Sequence, residues 1–243
     1  MRRVRMILGF TAAVCVLAFS ATAALAHNFK ASIVGKELSE ATPGKIKGVG
    51  VGPQTFKFGP LKMTCETAKT KGPATASVSE TLKIVATYKG CEAEVKIGLE
   101  PALLKAGIKE PIEYSFHANG FAETGTEGEE GSAEIGGGAA EVKVSGIKCV
   151  ISWPAQTVPM HAIGKPELEY TAAIFSNTEI SNTHLRAFPS GFQHELLISA
   201  EFKNMEFDFE EGQCSEFRHP ESKAGSYSGV LHEELGGGNL SWE

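Results

Sequence analysis

Apolar residues recur at every second position along most of this chain. Leu61, Met63 and Cys65 form one such set, followed by Leu82, Ile84 and Ala86, by Val142 and Val144, by Ile147, Cys149 and Ile151, and by Met205, Phe207 and Phe209. Successive side chains of an extended strand point to opposite faces, so a period of two lays one apolar face on a core and turns the other to solvent. Further strands are expected over Phe29 to Val34, Lys45 to Val51, Gln54 to Phe58, Glu94 to Ile97, Ile112 to His117, Leu168 to Ile174, Leu196 to Phe202 and Ser226 to Leu231. Turn residues cluster between them at Pro43-Gly44, Gly59-Pro60, Gly72-Pro73 and Pro189-Ser190-Gly191. The sole helical candidate is Glu100 to Ala106, where Leu103 and Leu104 follow Pro101 as a first-turn proline. The pattern predicts an all-β fold, an antiparallel β-sandwich built as one unit or as two sandwich-like halves.

The segment Gly120 to Gly138 interrupts that pattern. It holds Glu123, Glu127, Glu129, Glu130 and Glu134 among many glycines and has little to bury, so it reads as a solvated loop or linker. It divides an N-terminal β half, residues 27–119, from a C-terminal β half, residues 139–243. Cys149 and Cys214 with Trp153 between them invite comparison with an immunoglobulin sandwich. Trp153 comes too soon after Cys149 to lie on the next strand, however, and Gly212 stands where a corner tyrosine would precede the second cysteine.

Residues 1–26 read as a secretory signal peptide, which places the protein outside the cell. Arg2, Arg3 and Arg5 form a basic start, Met6 to Ala24 is apolar, and Ala24-Leu25-Ala26 is a small-x-small cleavage site. The mature chain then begins at His27. Cleavage removes Cys15 and leaves Cys65, Cys91, Cys149 and Cys214, an even set in an oxidising destination. Four cysteines allow three pairings. Cys65 ends one predicted strand and Cys91 follows the strand from Thr81 to Tyr88, so local pairing is favoured and leaves Cys149 for Cys214. No two cysteines have C-x-x-C spacing, which makes them structural staples and not a redox pair.

Charge narrows the partners. The formal net charge is −6, and because the signal holds three of the 23 basic residues and none of the 29 acidic ones, the mature chain carries −9. Phosphate binding needs a basic stripe, whereas the mature chain keeps only Arg186 and Arg218 as arginines and its lysines are scattered along the sequence. Neither nucleic acid nor, after cleavage, a membrane is an expected partner. Asp208 is the single aspartate, which argues against calcium loops, aspartic dyads and aspartate-oriented triads, all of which use that short side chain. Alternation in Met205 to Phe209 gives Asp208 an exposed strand position.

Catalytic motifs fail in detail. His194-Glu195 and His232-Glu233 begin like a zinc-protease helix, but Ile198 and Gly236 occupy the positions of the required second histidine. Gly225-Ser226-Tyr227-Ser228-Gly229 has the outline of a nucleophile elbow with Tyr227 in place of the central serine. No catalytic residue and no cofactor is expected, and the chain reads as a non-enzyme. One sharper chemistry is available. A mature N-terminal His27 offers its amine and its ring nitrogen together, a pair that can hold copper when a second imidazole approaches. His117, at a predicted strand end, is the most attractive second ligand, with His161, His184, His194, His219 and His232 as alternatives.

The mature start His27-Asn28-Phe29-Lys30-Ala31-Ser32, the segment Gln54-Thr55-Phe56-Lys57-Phe58 leading to Cys65, Tyr88-Lys89-Gly90-Cys91, Phe116-His117-Ala118-Asn119-Gly120, and Cys149-Val150-Ile151 with Pro154 and Gln156 resemble a group of small secreted β-rich actinobacterial proteins. The resemblance covers most of the mature chain and implies secretion without implying an activity, cofactor or ligand. Relatives often carry a further cysteine near the position of Tyr114, which this chain lacks. The reading is a secreted, disulfide-stabilised binding or structural module of the extracellular space or cell wall, with an extracellular ligand or wall component as partner. The alternative is a copper-binding oxidase or carrier that uses His27.

Overall fold

The structure is a computed structural model that describes residues 28–97, 100–118, 131–144, 147–160, 172–180, 193–210 and 224–242. Within these residues the regular elements are all strands. In chain order they are β1 (Phe29–Ile33), β2 (Gly44–Gly50), β3 (Gln54–Phe58), β4 (Leu61–Ala74), β5 (Val78–Ser79), β6 (Thr81–Ile97), β7 (Glu100–Ile108), β8 (Ile112–His117) and β9 (Gly131–Ile135). They continue as β10 (Gly138–Val144), β11 (Ile147–Trp153), β12 (Gln156–Met160), β13 (Ala172–Ile180), β14 (Gln193–Glu206), β15 (Asp208–Phe209), β16 (Ala224–Leu235) and β17 (Gly238–Trp242). Among the described residues no helix is long and apolar enough to cross a membrane.

All strand pairings are antiparallel. The main sheet runs β13-β14-β16-β2-β4-β6-β7-β10-β11-β15, and it interleaves strands from both sides of the Gly/Glu-rich segment. Two features break its regularity. β2 and β3 act as one interrupted strand between β4 and β16, because each of those long strands pairs with β3 along one part and with β2 along the other. β6 forks the sheet: its C-terminal part pairs with β7 and its N-terminal part with β8, which leads on to β9 and β12. A small sheet, β17-β1-β5, brings Phe29, Ala31 and Leu240 to the core.

The sandwich closes on aromatic rings. Tyr114 and Phe116 of β8 stack on Phe202 of β14, at centroid distances of 6.2 and 6.3 Å, although these two strands share no hydrogen bonds. Tyr227 of β16 lies beside Phe202, Phe56 of β3 joins Tyr227 to Tyr88 and Trp153, and Phe58 carries the line to Phe207. Contacts of this kind add to the large apolar area that each ring removes from water. Cys65 and Cys91, directly opposite each other on β4 and β6, form a disulfide that ties the middle of the sheet. Beside it Gly90 takes φ +63°, which lets β6 change phase so that Tyr88 and Cys91 both face inward with two exposed residues between them. Cys149 is disulfide-bonded as well, while its expected partner Cys214 lies outside the described residues.

Three sequence expectations are corrected. Gly72-Pro73 is no turn: both residues lie inside β4, because β2 pairs along this whole stretch, Ile46 with Gly72 and Lys45 with Pro73. Glu100 to Ala106 is no helix but the start of β7: Ala102, Leu104, Ala106 and Ile108 pack on the core while Leu103 is 72% exposed. Pairing along β6 and β10 satisfies this segment and overrides a weak local preference. Part of the expected loop at 120–138 is β9, where Ala133 and Ile135 are buried and Glu134 points out. Three residues of alternation suffice when β8 and β12 flank the strand on both edges. The remainder of that segment up to residue 130 lies outside the described residues, as do residues 1–27.

Candidate functional site

The interior holds an unusual amount of polar chemistry. Gln54, at the start of β3, is fully buried. Its amide nitrogen donates to the carbonyl oxygens of Val230 and Gly52, both at 3.2 Å, and its Oε1 accepts from Tyr227 Oη at 2.7 Å. Tyr88 Oη lies 2.7 Å from Tyr114 Oη and 3.5 Å from Tyr227 Oη, so three phenols and one amide share a line of hydrogen bonds. Burial pushes all three hydroxyls up from the ordinary phenol range, and they act as neutral donors and acceptors. Gly229 makes room for this line. A Cβ there would collide with Gln54 Oε1 and Tyr227 Oη. Gly229→Ala is therefore expected to cost roughly 2 kcal/mol, from overpacking and a broken buried hydrogen bond, read as a shift in urea midpoint.

Glu233 of β16 is the second interior group. It is fully buried, and Thr70 Oγ1 donates to its carboxylate, 2.7 and 2.8 Å from the two oxygens. Burial raises its pKa to about 7, against the opposing effect of the Thr70 hydrogen bond. Gly48, across from it on β2, has no side chain because the carboxylate and the Thr70 hydroxyl occupy that space. The neighbouring His232 points to the opposite face, where its Nε2 lies against the Glu195 carboxylate without the alignment of a hydrogen bond. The two His-Glu dipeptides rejected as protease motifs thus meet through His232 and Glu195, on strands and not on a helix.

His117 stands at the end of β8. Its Nδ1 is 3.2 Å from Thr81 Oγ1 and its Nε2 is 3.7 Å from Glu134. The strands β2, β4 and β6 separate it from His232 on β16, about 19 Å across the strands and roughly a further 20 Å along them by register, at ordinary strand and residue spacing. His194 lies on β14 opposite Glu179, and His27, His161, His184 and His219 are outside the described residues. The start of β1 reaches the same edge as His117. Phe29 pairs with Ser79 and Trp242, Ser79 Oγ donates to Thr81 O, Thr81 pairs with His117, and Trp242 Nε1 donates to Ala118 O. Among the described residues no three His, Cys, Asp or Glu side chains converge as a metal site.

The outer face of the sheet carries the rest. Alternation places Lys45, Lys47 and Val49 of β2, Lys69 and Lys71 of β4, Lys83, Val85 and Thr87 of β6, and Glu113, Ser115 and His117 of β8 on that one face. Lys47 stands opposite Lys71, Lys71 opposite Val85, and Val49 opposite Lys69. Beyond β8 the face dips into an open groove of about 330 Å³, lined by Glu113, Ser115, Glu134, Gln156 and Thr157 among others. Lysines scattered in sequence are gathered in space. The sequence signal was present as Lys45-x-Lys47 and Lys69-x-Lys71, but only the register of β2 with β4 joins the two.

No protein-family model matches the chain, and no curated protein matches it. Two solved structures of the enduracididine biosynthesis enzyme MppR align with it. The one complexed with the condensation product of pyruvate and imidazole 4-carboxaldehyde has 9% identity and a TM-score of 0.17 over 82% of this chain and 88% of that one. The one complexed with pyruvate has 10% identity and a TM-score of 0.18 over 86% and 98%. Likeness at this level carries no argument about the fold or chemistry of this chain.

Proposed function

We propose that this chain is a secreted, non-enzymatic binding or structural module of the extracellular space or cell wall. The observation that carries this reading is the division of labour across the main sheet. One face is given to a continuous aromatic core, and the other is a broad array of charged and polar side chains held in fixed register by a disulfide-tied sheet. A rigid sheet of this kind positions surface groups without loop ordering on binding. The disulfide suits an oxidising compartment. The test is to express the full chain in a secreting host, measure the intact mass of the product, and fractionate cells into medium, wall and cytoplasm. A product beginning at His27 that partitions between medium and wall is the expected result. Retention of Met1 in a cytoplasmic product would reject the reading.

A second reading, copper held by the amine and ring of His27 with His117, draws on the pairing that brings the start of β1 to the edge where His117 sits. Its test is calorimetric titration of the cleaved protein with copper. Weak binding, unchanged in His117→Ala, is the result expected under the first reading. Tight one-to-one binding lost in both His27→Ala and His117→Ala would replace the first reading with the second.

A further inference from the structure

We infer that the lysine field on the outer face of β2, β4 and β6 is the binding surface, and that its ligand is a linear phosphate-bearing polymer of the cell wall. The inference rests on the reading of the chain as an extracellular binding module. Lys45, Lys47, Lys69, Lys71 and Lys83 are all exposed, and none makes an ion pair with another described residue. They occupy three adjacent strands and three successive rows, an area about 10 Å by 14 Å at ordinary strand and residue spacing. The acids bordering them are Glu234, opposite Lys47 on β16, and Glu113, opposite Val85 on β8. The five lysines of the three strands meet only these two glutamates, with Glu134 and Glu195 one strand further out on either side, which leaves the field itself positive in a chain whose net charge is −6.

Solvation alone does not call for this arrangement. A face that serves only solubility intersperses the two signs. Here Lys47 and Lys71 are directly opposite across a strand pair, an arrangement that destabilises a sheet. Lysine also opposes lysine at Lys57 with Lys62 and at Lys143 with Lys148, so the single pair does not mark the site; what sets the field apart is five exposed lysines on three adjacent strands with no acid among them. The chemistry of the ligand follows from the side chains. An ammonium group is a point charge with three donors and suits the tetrahedral oxygens of phosphate, whereas planar carboxylates are matched best by the arginine fork, which this field lacks. Among its described residues the field presents no aromatic ring for stacking nucleic-acid bases. Its apolar members, Val49 and Val85, are short and end below the lysine head groups, so nothing projects for insertion into a bilayer. What remains is an extended polyanion lying across the rows.

The test uses the secreted protein and fluorescein-labelled inorganic polyphosphate, followed by anisotropy at 50 and 200 mM NaCl. Five contacts at the single-strand counterion slope imply a loss of roughly 100-fold in affinity between those salts. The triple variant Lys47→Gln, Lys69→Gln, Lys71→Gln is expected to weaken binding at least tenfold. A control with equal charge change elsewhere, Lys57→Gln, Lys143→Gln, Lys148→Gln, is expected to stay within twofold. Lys71→Glu is expected to melt at a higher temperature than the parent while binding less, a pairing of effects that a misfolded variant cannot mimic. Equal losses in the two triple variants would overturn the site, and tighter binding to phosphatidylglycerol vesicles than to polyphosphate would overturn the ligand. Co-sedimentation with isolated wall separates this inference from the reading beneath it. Wall binding that survives the lysine variant would sink the lysine field and keep the module, whereas a failure to bind either wall or polyphosphate would sink both.

Discussion

Replacing Glu233 with glutamine is expected to make the protein more stable at pH 8 by about 3 kcal/mol while changing little at pH 4.5. The carboxyl has an ordinary value of 4.5 and titrates at about 7 in the folded chain because it is buried. Between those values the folded state holds a proton that the unfolded state has released, so stability falls as the pH rises through this window. Below it both states are protonated and the group costs nothing. Above it the folded chain carries a buried anion whose hydrogen bond, from Thr70, only partly offsets desolvation. Glutamine keeps the size and can still accept from Thr70, but it cannot ionise. Urea unfolding of both proteins from pH 4.5 to 8.5 isolates the effect, since all other titrating groups are common to the two. Parallel curves would show that Glu233 stays charged in the fold.

The second large effect concerns Cys65 and Cys91. The bridge closes a span of 26 residues, and loop-closure arithmetic puts its restriction of the unfolded chain at about 3.5 kcal/mol. Both cysteines are buried, and alanine fills most of the thiol space in a strand already paired on both sides. The double variant Cys65→Ala, Cys91→Ala is therefore expected to keep the near-ultraviolet spectrum of the aromatic core and to lose stability close to that figure. A loss below 1 kcal/mol would mean that the reduced unfolded chain is already compact here.

Much of the strand layout was legible because local alternation and burial agree. Gln54 to Phe58 and Ile112 to His117 match β3 and β8 residue for residue. Where the reading failed, the deciding information was non-local. Adjacent Leu103 and Leu104 blur a period of two that only β6 and β10 make visible, and β9 hides among glycines until its two neighbours flank it. The interior role of Glu233 was nearly readable, since Leu231, Glu233 and Leu235 alternate and both leucines are buried. The run His232-Glu233-Glu234 looks solvated unless that parity is followed. The lysine field was out of reach for the same reason as β9: no local rule relates residue 47 to residue 71.

The place of β16 carries a consequence for how the protein is made. This strand comes near the end of the chain yet sits between β14 and the β2/β3 pair, contributing Tyr227 and Leu231 to the core. A polypeptide that emerges from its N-terminus, from a ribosome or, under the proposed secretion, from an export channel, delivers β2, β3 and β4 long before β16 arrives. During that interval Phe56 and Phe58 lack the aromatic neighbours Tyr227 and Phe207, and one edge of β2 and β3 has nothing to bond. The emerging chain is thus sticky until its last fifth has followed, and it calls for a holding factor where it emerges or for completion faster than self-association.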